Sequence, residues 1–399
     1  MGIAKQTTQD RTLDGRTITL NGHSLINFAQ CSYLGLEQDE RLKRGAIDAV
    51  EHYGPLFSSS RAYLSVTLFE EYEQLMEQLF GFPVIISPST TMGHFANFPL
   101  LFQSTDAVIL DRYVHTSVAT AAQVSKARGV YLERIRHNDL QQLEDRIKKL
   151  REKYERVWYL VDGIYSMQGT AARLQELRTL QERYPQLHLY VDDAHGMSWR
   201  GKHGRGFALS QIDLNERTVL ITSLSKAFGT GGGCMVFPNS ELRDTVRNGA
   251  STLMFSGPLH PPSLGAGIAS CRIHLSEEIV SLQAMLLDRI KYFNQLCRKL
   301  ELPLAERALT PIRYIGVGTP EMGYDIVQRV LSRGYFINVA AYPSVPIKQT
   351  GLRITLTNHL DKNDIYNLLT VVSEEMEQVL SLNNYSKDRI YAAFPMIDR

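Results

Sequence analysis

The stretch LHLYVDDAHG, residues 187–196, is a β-prone run rich in large apolar side chains that ends abruptly in Asp192, Asp193 and His195. A short run of this kind with no polar alternation reads as a strand buried on both faces, as in parallel sheets covered by helices. Runs of the same character lie on both sides of it. Val84 to Ile86, Ala107 to Leu110, Val157 to Val161 and Thr218 to Thr222 are further short strands. Between them the period changes to that of a helix: residues 68–80 place Leu68, Tyr72, Leu75, Met76 and Leu79 on one face, and 116–127, 139–154 and 172–183 also read as helices. Strands alternating with amphipathic helices predict an α/β domain with a mostly parallel sheet flanked by helices, assigned to residues 46–258.

Beyond residue 258 the pattern shifts to helices at 261–274 and 277–300, short strands near 312–317 and 352–356, and a closing helix at 361–381. That is a smaller α+β domain, 259–399. The N-terminal segment 1–45, with strands Thr17 to Leu20 and Ser24 to Phe28, is expected to pack with it. The stretch from residue 383 shows no clear period.

The whole sequence carries 43 Lys and Arg against 42 Asp and Glu, so nothing in its net charge draws it to nucleic acid or an anionic membrane. No apolar run reaches the ~20 residues needed to span a bilayer, and the opening residues are too polar for a signal peptide. The opening Met-Gly is followed by Gln6, not the Ser or Thr that a myristoylation signal has at the sixth position. The expectation is a cytoplasmic protein acting on small molecules. Cys31, Cys234, Cys271 and Cys297 are widely spaced, which indicates buried thiols rather than a disulfide framework or a metal site.

In an open parallel sheet, ligands bind beyond the carboxyl ends of the strands. Three strand ends carry polar groups: Asp192, Asp193 and His195; Ser223, Ser225 and Lys226, followed by four glycines in five residues; and Asp162, Ser166 and Gly169. A lysine among small hydroxyl residues and a glycine run can approach a carbonyl compound and bond to it. A carboxylate one strand away suits a protonated pyridine nitrogen. Pyridoxal 5'-phosphate requires both, together with a phosphate cradle of N–H and hydroxyl groups. Read as a nucleotide loop instead, FGTGGG (228–233) fits neither the dinucleotide nor the P-loop spacing.

The segments DDAHGMSWRGKHGRG (192–206) and SLSKAFGTGGG (223–233) resemble the signatures of the α-oxoamine synthases, pyridoxal-phosphate enzymes of aminotransferase fold type I. SYLGL (32–36), DRYVHTS (111–117), HND (137–139), DGIYSMQG (162–169), FSGPLHPP (255–262) and LRITLTNH (352–359) agree in order and spacing. The resemblance implies a homodimeric acyltransferase that joins an amino acid to an acyl-CoA with loss of carbon dioxide. It assigns Lys226 as the Schiff-base lysine and proton shuttle, Asp192 as partner of the pyridinium, His195 and Ser166 as contacts to the phenolic oxygen, and His115 as the imidazole stacked on the ring. Ser223, Thr90 and Thr91 would hold the phosphate, with Ser256 and Gly257 reaching it across a dimer interface. Arg353 would hold the amino-acid carboxylate. Taken alone, His115 also reads as an ordinary buried histidine and Arg353 as a strand-edge charge. Arg61 and Arg205 are further candidate cations near the anionic ligands. A fold type I aminotransferase or lyase, and a catalytically silent synthase subunit, remain alternatives; the presence of Lys226 argues against the last.

The chain departs from the family pattern at three places. Cys31 stands where an asparagine is usual. Ser89, Thr90, Thr91, Met92, Gly93 and His94 replace a segment that commonly reads S-G-[FWY]-x-A-N, so a histidine takes the place of a neutral amide. PLFSSSRAYLSVTLFEEYE (55–73) keeps Arg61 but has Phe69 where a histidine is expected. This last segment is more similar to the synthases of acyl aminoketone autoinducers than to those of biotin, haem or threonine breakdown, and Phe57, Tyr63, Leu64 and Phe69 are either core residues or contacts for a longer acyl chain.

Overall fold

The computed structural model describes residues 5–306 and 308–394, which fall into two compact units. The larger comprises Asp39–Tyr165 and Ala171–Val280; the smaller takes the chain up to Gln38, the excursion Ser166–Thr170 and the chain from Ser281 onward.

A seven-stranded sheet forms the larger unit, in the order Val84–Ser87, Gly233–Val236, Thr218–Ser223, Leu187–Asp192, Arg156–Asp162, Asp106–Asp111, Tyr131–Ile135. The last five are mutually parallel, whereas Gly233–Val236 runs antiparallel to both its neighbours. Two reversals cancel, so Val84–Ser87 points the same way as those five, and the carboxyl ends of all six emerge on one edge. Gly233 begins its strand at that edge. The strands are buried because both faces are covered: Val108, Leu160, Tyr190 and Val219 share a core cluster with Phe98 and Phe102 from the helix Thr90–Leu101 and its end.

The observed division differs from the expected boundaries at 45/46 and 258/259. Helix Pro261–His274 packs with helix Glu40–Tyr53 in the larger unit, backbone to backbone. A Cβ on Gly265 would lie 2.1 Å from the Gly45 carbonyl oxygen, so only glycine permits this approach. Helix Glu40–Tyr53 is capped by Asp39, whose side chain accepts the Arg41 N–H, and this sets the other boundary.

In the smaller unit, one three-stranded sheet joins Thr17–Leu20, His23–Asn27 and Tyr335–Phe336, and another joins Ile312–Gly318, Thr350–Thr355 and Asn338–Ala340. Arg16 makes a bidentate pair with Asp364, at 2.9 and 2.6 Å. Asp364 also closes a capping box with Asp361 at the start of helix Lys362–Leu382, so one carboxylate ties the N-terminal strands to the last long helix. The stretch without a clear period contains a short helix, Lys387–Ala393, whose Ile390 lies with Phe394 against Gly316.

One buried group gives the larger unit a pH-dependent stability. His274 is fully buried beside Phe228, with Nδ1 on the Ser270 carbonyl at 2.8 Å, and burial pushes its pKa down from 6.5 to about 4. The unfolded chain therefore takes up a proton near pH 6.5 that the folded chain refuses until about pH 4. Stability is lost as pH falls through that window, by about 3 kcal/mol. Urea midpoints should drop between pH 7 and pH 5, and His274→Leu should flatten that slope; an unchanged slope in the variant would assign the effect elsewhere.

Candidate active site

The strand ends of the larger unit surround a cavity of about 190 Å³. Seven residues expected from the sequence line it together: Thr90, Thr91, His115, Asp192, His195, Ser223 and Lys226. Ser89, Ser117, Asp162, Ile164, Ala194 and Ser225 complete the lining.

Asp192 is the last residue of its strand and is buried. Its Oδ1 accepts the Ala194 N–H at 3.0 Å, and its Oδ2 lies 3.1 Å from His94 Nε2. Burial alone would push this carboxyl up, but the His94 hydrogen bond and the nearby Lys226 charge help to outweigh it and hold the pKa below the usual value. Asp162 occupies the same level of the neighbouring strand, in register with Asp192. Burial and the Asp192 charge push its carboxyl well up, against two contacts of 3.2 and 3.1 Å from the His115 N–H. Two adjacent carboxyls are thus driven apart, one ionised and one toward the neutral form. The next residue, Asp193, faces away from this division of labour: its Oδ2 accepts the Ala208 N–H at 2.9 Å, and it is packed so closely that a Cβ on Gly196 would come within 2.0 Å of it.

His115 caps helix Thr116–Lys126 with its own ring, Nδ1 accepting the Ser117 N–H at 3.3 Å and lying 2.7 Å from Ser117 Oγ, and burial lowers its pKa, favouring the neutral imidazole. The turn that carries it is held from behind. Asp111 meets His137 Nδ1 at 3.0 Å and accepts the Asn138 N–H at 2.8 Å, while Tyr113 stacks near His137. The HND segment therefore acts by positioning the DRYVH turn.

Phosphate-binding chemistry is present at helix Thr90–Leu101. Ser89 caps it by accepting the Met92 N–H, and the N–H groups of Thr90 and Thr91 belong to the first turn, which has no intrahelical acceptors. A Cβ on Gly233 would lie 2.6 Å from the Thr90 nitrogen, so the glycine run keeps this turn open. Ser223 closes its strand beside it and accepts the Ser225 N–H at 3.2 Å. A helix N-terminus with hydroxyls, a lysine and an ionised carboxylate together fit pyridoxal phosphate.

The remaining expected residues lie elsewhere. Ser166 and Arg353 belong to the smaller unit, where Arg353 Nε donates to the Ser166 carbonyl at 2.7 Å and Nη2 lies 3.8 Å from Cys31 Sγ. Arg353 is thus a buried strand residue rather than a surface charge. Ser256 and Gly257 follow the short helix Ser251–Met254, with Ser256 Oγ on the Thr252 carbonyl and open space beside Gly257. Two candidate cations are engaged by their own unit: Arg61 pairs with Glu73 at 3.1 Å and lies over the Phe69 ring at 4.0 Å, and Arg205 donates to the Leu209 carbonyl at 3.1 Å. Phe69 is core, whereas Tyr63 and Leu64 are exposed.

The family model for aminotransferases of class I and II matches residues 23–372. The chain belongs to that family. Among curated proteins, the 8-amino-7-oxononanoate synthase of Fervidobacterium nodosum is 31% identical over 366 residues, 89% of this chain and 90% of its own. That of Thermoanaerobacter pseudethanolicus is 28% identical over 369 residues, 91% of each. Among solved structures, a serine palmitoyltransferase of Sphingomonas wittichii superposes with a TM-score of 0.88 at 21% identity, over 95% of this chain and 94% of that one. Within the family the chain is an α-oxoamine synthase, a pyridoxal-phosphate-dependent acyltransferase of fold type I, whose reaction is the decarboxylative condensation of an amino acid with an acyl thioester.

Proposed function

We propose that the acyl thioester is an acyl-CoA and that the products are an α-aminoketone, CoA and carbon dioxide. The observation that carries the placement of this chemistry is the convergence of Lys226, an ionised Asp192 and the open turn at Thr90 on one cavity. Pyridoxal phosphate, when bound, supplies an electron-accepting ring. Lys226 would hold it covalently until the amino group of the substrate takes the lysine's place, and the Nζ so freed would take the Cα proton of the amino acid. Cα then attacks the thioester carbonyl, the CoA thiolate leaves, carbon dioxide is lost, and Lys226 returns a proton to Cα.

Asp192 would keep the ring nitrogen protonated, His195 would hold the phenolic oxygen, a role the family resemblance also gives Ser166, and neutral His115 would serve as the imidazole for the ring face. Thr90, Thr91 and Ser223 would hold the phosphate, and the family resemblance gives Arg353, with Cys31 beside it, the amino-acid carboxylate. The working form is a cytoplasmic homodimer. Exposed Leu56, Tyr63, Leu64 and Phe255 support this, since Ser60 Oγ donates to the Met254 carbonyl and so brings their two segments together next to Ser256 and Gly257.

The test is a matrix of amino acids against acyl-CoA chain lengths, recording free thiol and carbon dioxide. Equal release of both from at least one pair is the expected result. Amination of a keto acid without thiol release would replace this reading with an aminotransferase.

A further inference from the structure

His94 is the residue that the sequence marks as out of place, and the structure gives it a place in a chain of polar groups. It lies on the second turn of helix Thr90–Leu101, fully buried, between the rings of Phe98 and Tyr190. Asn97 Nδ2 donates to the Tyr190 hydroxyl at 3.2 Å, that hydroxyl meets His94 Nδ1 at 3.0 Å, and His94 Nε2 meets Asp192 Oδ2 at 3.1 Å. An ionised carboxylate only accepts, so the hydrogen between His94 and Asp192 sits on Nε2 and points at the carboxylate; a Tyr190 hydroxyl that accepts from Asn97 and donates to Nδ1 is compatible with that arrangement.

We propose that His94 is a positioning residue for the cofactor, holding Asp192 oriented and ionised for the ring nitrogen, with Tyr190 and Asn97 behind it fixing the tautomer. The inference rests on the assignment of Asp192 to that nitrogen. Three features carry it. The ring touches Asp192 on the oxygen not used by the Ala194 N–H, so both carboxylate oxygens are pinned. The hydrogen-bonded run from Asn97 Nδ2 through Tyr190 and His94 to Asp192 is wholly buried, where low local dielectric strengthens each bond, although Asn97 Oδ1 itself is left without a partner among the described residues. It is also built from one helix and one strand, the two elements that carry Thr90 and Asp192, so it locks the phosphate end of the cavity to the ring-nitrogen end.

The test compares pyridoxal phosphate with its deaza analogue, in which carbon replaces the ring nitrogen, by direct binding titration of the purified protein. The unaltered protein should prefer pyridoxal phosphate. His94→Leu should lose tenfold or more of that preference, on the order expected for a hydrogen bond to a charged group, while its affinity for the deaza analogue changes little. His94→Asn, which retains an N–H, should keep part of the preference, and Tyr190→Phe should lose a smaller part than His94→Leu. A merely structural histidine would weaken both ligands equally. An unchanged preference in His94→Leu overturns the proposal; should that variant not fold, an unchanged preference in Tyr190→Phe does so. Failure of the unaltered protein to bind pyridoxal phosphate would instead overturn the assignment of the cavity itself.

Discussion

Lys226→Ala should yield a folded protein on which borohydride fixes no cofactor and whose condensation rate falls by at least about 10²–10⁴-fold, the range for loss of a positioned acid–base group. The loss should be chemical rather than structural because the turn is held without the lysine side chain. Leu224 N–H donates to the Gly232 carbonyl, Thr230 N–H to the Leu224 carbonyl, and Ser270 Oγ reaches the Phe228 carbonyl at 2.7 Å from the helix behind. Nothing in that set depends on Nζ. Lys226→Arg is the informative companion, since it keeps a positive charge beside Asp192 but has no amine that can lose its proton near neutral pH. If the lysine worked only as a charge, Arg would rescue; the expected result is that it does not. Borohydride trapping followed by peptide mapping should place the modification of the unaltered protein on Lys226, and full activity in Lys226→Ala would sink the mechanism.

How much of this was legible in the residues depends on the physical signal each one leaves. The parallel strands were readable because burial on both faces demands uninterrupted apolar runs, and the polar residues that end them pointed to Asp192, Ser223 and Lys226. Helix Thr90–Leu101 left no periodic signal and was implied only by the resemblance: it is apolar nearly all round, with Pro99 inside it, so it presents no stripe at helical spacing. Gly233–Val236 was hidden at the end of a glycine run, and only the sheet shows that it reverses direction and brings Gly233 to Thr90. Tyr131–Ile135 is an edge strand with Glu133 and Arg134 in it, so its sequence resembles a loop.

The site divides in the same way. Residues within a motif could be named, but pairings between distant segments could not. His94 was visible only as a mismatch until the fold set it 3.1 Å from a residue 98 positions later. Asp162 was visible as a strand end without a role, because its protonation is decided by burial and by Asp192, neither of which is local in sequence. The near-equal totals of acid and base likewise said nothing about location: Arg61 is spent on Glu73 and the Phe69 ring, leaving Lys226 as the cation in the cavity lining.

Asp192→Asn should cost about 10²–10³-fold in kcat, the range for removing one preorganised group that stabilises developing charge, whereas Asp162→Asn should leave most of the activity. The two carboxyls end adjacent strands at the same level, so geometry alone would predict similar losses. Their electrostatics differ. Asp192 is held ionised by His94 and Lys226 despite its burial, and an amide in its place removes the negative charge that a protonated ring nitrogen needs. Asp162 is pushed well up by burial and by Asp192, so its surroundings disfavour the charge that an amide removes, and an amide oxygen can still accept the His115 N–H. The pH dependence gives an independent check. A lowered Asp192 stays ionised to lower pH than an ordinary carboxylate, so an acid limb of kcat that reports this group should lie below the usual carboxylate value. Equal losses in the two variants, or a larger loss in Asp162→Asn, would assign the ring-nitrogen contact to the wrong carboxylate. Direct binding of pyridoxal phosphate to both variants would then show which strand end carries it.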